Sequence, residues 1–76
     1  MSLLVTHPMY DIENKRYIDL NNERFKIPWR CGKVQQGVCT SVTPIQSFQK
    51  GDTVQVTYVI NHGVKVITSI CIINGP

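Results

Sequence analysis

Two stretches of the chain alternate apolar and polar residues with a period of two, the rhythm of strands with one buried face. The first runs Arg16-Tyr17-Ile18-Asp19-Leu20, breaks at Asn21-Asn22, and resumes as Glu23-Arg24-Phe25-Lys26-Ile27. Asn tolerates the left-handed backbone conformation, so the Asn pair suits a two-residue type I′ turn. Such a turn sets Tyr17 opposite Lys26, Ile18 opposite Phe25 and Asp19 opposite Arg24. One face of this hairpin then carries Ile18, Leu20, Phe25 and Ile27. The other carries Tyr17, Asp19, Arg24 and Lys26. A helix over residues 11–24 is the rival reading, but the Asn pair and the weak 3.6-residue periodicity count against it.

The second stretch starts at the turn Lys50-Gly51-Asp52 and continues as a strand over residues 53–60, with Val54, Val56, Tyr58 and Ile60 on one face. Asn61-His62-Gly63 closes a short loop, with Gly63 suited to a positive φ. The return strand, residues 64–73, is apolar on both faces under strict alternation. Val64, Val66, Ile70 and Ile72 fall on one side, and Ile67, Cys71 and Ile73 on the other. A strand of this kind needs cover on both sides, from the sheet's own layers or from a second subunit.

Shorter signals complete the pattern. Residues 3–6 form a candidate strand stopped by His7-Pro8, and residues 9–14 read as a turn. Pro28 ends the strand that precedes it. Residues 33–42 suit another strand, with Gly37 marking a bulge. Residues 43–48 suit a loop that tucks apolar groups underneath. Five or six short strands joined by tight turns predict an all-β fold, or a β-rich one with at most one short helix. The architecture expected is a small barrel or rolled antiparallel sheet, SH3-like or OB-like.

Composition strengthens that expectation. The 76 residues hold nine Val, nine Ile and six Thr against three Leu and no Ala. β-Branched side chains favour a pleated surface, and the best helix formers are scarce. A chain of this length makes one domain, residues 1–76, with a small core and little room for a deep cleft. No stretch reaches the roughly 18 apolar residues of a membrane span. The three cysteines, Cys31, Cys39 and Cys71, are odd in number and contain no CxxC pair. They read as reduced thiols in an intracellular protein, cytoplasmic in a bacterium or in a host cell if the source is viral. They predict neither a metal site nor a cofactor.

Charge supplies the functional signal. The net charge is +3, but no acidic residue occurs from Arg24 to Gly51. That span holds Arg24, Lys26, Arg30, Lys33 and Lys50, with Phe25, Trp29 and Phe48 among them. Cations neutralise phosphates, and aromatic faces stack on unpaired bases. Tyr17, Arg24, Lys26, Trp29, Arg30 and Lys33 are therefore the candidate contacts of a non-enzymatic module that attaches to nucleic acid, preferably single-stranded. Core packing of Phe25 and Trp29 is the plain alternative for those rings. The competing function is a protein-interaction or regulatory module, an inhibitor of a larger protein machine or a homodimer, joined through Ile67, Cys71 and Ile73 of the last strand. No nucleophile motif surrounds any cysteine, and His7 and His62 read as loop residues, so no catalytic residue is expected.

Overall fold

The computed structural model describes residues 1–28 and 47–75. These form five strands and no helix: β1 (Ser2–Ile12), β2 (Lys15–Leu20), β3 (Glu23–Ile27), β4 (Thr53–Asn61) and β5 (Val64–Asn74). They close into a barrel in the order β1-β2-β3-β5-β4. Four contacts are antiparallel, and β3 meets β5 in parallel at Lys26 and Val66. This is a closed five-stranded barrel of the small SH3-like or OB-like kind expected. The expected strand over 33–42 lies outside the described residues.

The β2–β3 hairpin has the register its turn chemistry predicts: Tyr17 opposite Lys26, Ile18 opposite Phe25, Asp19 opposite Arg24. Asn21 and Asn22 both have positive φ, 51° and 64°, as a type I′ turn requires. The same turn occurs twice more, at Glu13-Asn14 (51°, 66°) and at His62-Gly63 (51°, 77°). The right-handed twist of the flanking strands matches this turn, which explains its repeated use.

The core is Val5, Ile18, Leu20, Phe25, Ile27, Phe48, Val54, Val56, Ile67 and Ile70. All four residues assigned to the inner face of β2–β3 lie in it, and so does Phe48 from the loop before β4. The turn at Lys50-Gly51-Asp52 is tied to β1. Val5 N donates to the Asp52 carbonyl at 2.8 Å, and Gly51 N donates to the Val5 carbonyl at 2.9 Å. Asp52 is buried, and its Oδ2 accepts from Gln49 N at 2.8 Å. Gly51 has a φ of 99°, a conformation open to glycine at little cost.

Three expectations need correction. First, β1 does not stop at His7-Pro8 but runs to Ile12, and residues 9–12 are strand instead of turn. Pro8 lies within an irregularity of the β1–β2 ladder, between His7 and Tyr10, where the missing N–H breaks no regular bond. Second, strict alternation does not divide the two faces of β5. Thr57 pairs with Ser69 and Tyr58 with Ile67, so Thr68 is an extra residue, a β-bulge. The bulge shifts the phase and turns Ile67 inward beside Ile70. Ile67 is fully buried and Cys71 nearly so, whereas Ile73 is 50% exposed. The trio assigned to self-association is therefore not one surface. Third, Cys71 is disulfide-bonded, not a reduced thiol.

Candidate nucleic-acid interface

The outer face of β1, β2 and β3 gathers polar aromatic and charged side chains. Alternation along β2 and β3 sends Tyr17, Asp19, Arg24 and Lys26 outward, because their neighbours fill the barrel. The β1–β2 register brings Tyr10 opposite Tyr17 and His7 opposite Asp19. The rings form a row. His7 meets Tyr10 edge-on with centroids 5.0 Å apart, and Tyr10 lies 5.8 Å from Tyr17 at a tilt of 32°. The Arg24 guanidinium sits over this row, 5.0 Å from the Tyr17 centroid and 5.9 Å from that of Tyr10, within cation–π range.

A hydrogen-bond chain organises the middle of the face. Tyr10 OH donates to Asp19 Oδ1 at 2.6 Å, and Arg24 Nε donates to the Tyr10 oxygen at 3.1 Å. Burial first, and then the Asp19 carboxylate, hold the Tyr10 phenol above its ordinary pKa, so it is a proton donor at neutral pH. The hydrogen bond to Tyr10 is also the main cause raising the pKa of the Arg24 guanidinium. His7 Nδ1 lies 2.7 Å from the Pro8 carbonyl, an acceptor only, so this nitrogen carries the proton.

The β2–β3 turn anchors the face to β1. Asn21 Oδ1 accepts from Leu4 N, Asn21 N donates to the Leu4 carbonyl, and Asn22 N donates to Thr6 Oγ1, all at 2.8–2.9 Å. Two grooves flank it. One, of about 360 Å³, lies beside the β4–β5 turn and is lined by Glu23, Arg24, Gly63, Val64 and Lys65. The other, of about 180 Å³, lies beside the β1–β2 turn and is lined by Asn14, Lys15, Arg16, Lys26, Ile27 and Pro28. Lys65 pairs with Glu23, whose carboxylate is the main cause raising the Lys65 pKa, and Arg16 lies 3.4 Å from Asp11.

Of the six candidate contacts read from sequence, Tyr17, Arg24 and Lys26 share this face. Trp29, Arg30 and Lys33 lie outside the described residues. His7, Tyr10 and Asp19 belong to the face but were not singled out. His7 and Tyr10 were hidden because β1 was expected to end before them. Asp19 was read only as the cross-strand partner of Arg24. The charge picture also changes. All five carboxylates but only six of the eight Lys and Arg fall among the described residues, so the positive excess there is small. Among the described residues no group of three or more His, Cys, Asp or Glu is placed to hold a metal ion, and no helix is long and apolar enough to cross a membrane.

A scan of protein-family models, a search of curated proteins and a search of solved structures each found no match to this chain.

Proposed function

We propose that the protein is a non-enzymatic module that binds single-stranded nucleic acid on the outer face of β1–β2–β3. The observation that carries this reading is the Arg24 guanidinium lying over the Tyr10–Tyr17 row, with Lys26 across from Tyr17. A base can stack on the guanidinium plane or on a ring edge it leaves open, while Lys26 meets a phosphate. OB barrels use the same region, the face of strands 2 and 3 with the loops that follow strands 1 and 4. Both grooves lie at those loops, and both are lined in part by cations. Fold likeness alone does not assign a function, so the reading stands on these side chains.

Fluorescently labelled oligothymidine titrated at several salt concentrations tests it. Three phosphate contacts, from Lys26, Arg30 and Lys33, give a log–log slope of about −2.1, at roughly −0.7 per contact. The Lys26→Ala variant should reduce that to about −1.4. Absence of binding by the unaltered protein at low salt would discard the proposal.

One observation favours a second reading, attachment to a protein partner. The β4–β5 hairpin ends in exposed apolar residues: Val59 at 52%, Ile60 at 68% and Val64 at 40%. Any self-association would then use this tip, not Ile67 and Cys71. As to location, disulfides persist in oxidising settings, and the Cys71 disulfide supports a periplasmic, secreted or virion-surface protein over the cytoplasmic one expected from the odd cysteine count.

A further inference from the structure

We propose that Asp19 and Arg24 together read the Watson–Crick edge of a guanine in the bound strand, with Tyr10 as the residue that positions both. This rests on the nucleic-acid reading and adds a base preference to it.

Asp19 and Arg24 face each other across the β2–β3 hairpin, where a direct ion pair would be the ordinary outcome. No ion pair joins them. The Tyr10 hydroxyl stands between, donating to Asp19 Oδ1 and accepting from Arg24 Nε. Among the described residues, Asp19 Oδ2 therefore keeps its acceptor capacity, and the two terminal nitrogens of Arg24 keep their donors. The phenol holds an acceptor-only group and a donor-only group side by side on an outward face.

A carboxylate here repels phosphates, so it weakens attachment to the backbone unless a base donor meets it. The bases differ in what they offer. Adenine and cytosine present one exocyclic amino group beside ring acceptors. Thymine presents one N–H between two carbonyls, each repelled by a carboxylate. Guanine alone places two donors, N1–H and the N2 amino group, side by side, the spacing that two carboxylate oxygens accept together. Its O6 lies next to them and accepts from Arg24. Asp19 Oδ1 can take the second bond while still receiving Tyr10 OH, because a carboxylate oxygen has two acceptor positions. The Tyr10–Tyr17 row beside them supplies ring surface on which the same base can stack.

The test compares three labelled oligonucleotides of equal length at one low salt concentration. One is oligothymidine, one has isolated guanines at every third position, and one has inosine in place of each guanine. Inosine lacks the N2 amino group and keeps N1–H and O6. The guanine strand should bind roughly tenfold tighter than oligothymidine, within the range of a good bidentate base contact, and the inosine strand should lose most of that gain. Asp19→Asn should then move two ligands in opposite directions. Affinity for the guanine strand should fall, and affinity for oligothymidine should hold or rise because a negative charge is gone. Tyr10→Phe should lower the guanine preference while the protein remains folded by circular dichroism. Equal binding of all three strands by the unaltered protein would overturn the base preference and leave the nucleic-acid reading standing. So would an Asp19→Asn variant in which both affinities change in parallel. Failure to bind any strand would remove both.

Discussion

A few residues decide the local geometry out of proportion to their size. Asn21 and Asn22 carry the left-handed backbone of the β2–β3 turn, and their own polar groups anchor it to β1. The two positions are not equivalent. Asn21 uses its side chain to accept from Leu4 N, whereas Asn22, among the described residues, uses its backbone N–H alone, bonded to Thr6 Oγ1. Asn22→Gly should therefore be neutral or stabilising by a few tenths of a kcal/mol or so, since glycine takes a positive φ without steric cost. Asn21→Gly should lose stability by about 1 kcal/mol, because the Leu4 amide loses its partner. Thermal denaturation of the two variants checks the order, and the reverse order would refute this account of the turn. Glu23 is exposed and Lys65 half-buried at the surface, and replacing Glu23 should barely change the unfolding midpoint.

Single strands owe their faces to where the alternation is interrupted. β5 reads as two-sided if every residue is counted, but the bulge at Thr68 brings Ile67 and Ile70 to the same side. The consequence is measurable with one pair of variants. Strict alternation puts Ile67 and Ile73 on one face and predicts similar costs for truncating them. With Ile67 fully buried and Ile73 half exposed, Ile67→Ala should cost about 2–5 kcal/mol and Ile73→Ala less than about 1 kcal/mol in urea denaturation. Comparable values would mean that the bulge does not set the phase. Similar logic explains Ile60. It continues the inward row of Val54, Val56 and Tyr58, yet it lies near the end of the β4–β5 hairpin and is 68% exposed. Tyr58 is the last residue of that row to touch the core, edge-on to Phe25 at 5.1 Å.

Across the whole molecule, barrel closure joins distant segments into one outward surface and leaves one apolar tip. β1 pairs with β4 through Ser2, Leu3 and Leu4 and with β2 from Val5 onward, so a single strand links both sides of the barrel. That bend carries His7 and Tyr10 onto the face of β2–β3. The tip at Val59, Ile60 and Val64 is the surface on which self-association can be judged. Ile60→Lys should leave the fold intact, since the side chain is mostly exposed. If the protein is a dimer through this hairpin, light scattering should show the mass fall to that of one chain in the variant. A dimer indifferent to the change would dismiss the tip as an interface.

The alternation within residues 16–27 and 53–60, with the Asn pair between the first two strands, determined the hairpin register, its four buried residues and the all-β class. These are local matters, settled by side-chain period and by which residues accept a positive φ. The strand order, the parallel β3–β5 contact, the continuation of β1 through Pro8 and the bulge at Thr68 were decided only by the tertiary structure. Each depends on a partner strand far away in sequence, and a bulge is invisible until the opposite strand shows which residue has no mate. The same reason divides the candidate site. Tyr17, Arg24 and Lys26 were legible because one hairpin holds them, whereas the places of Tyr10 and Asp19 in the cluster follow from β1 folding across it. Cys71 shows the limit most plainly: an odd cysteine count suggested free thiols, and only proximity in the folded chain pairs a sulfur.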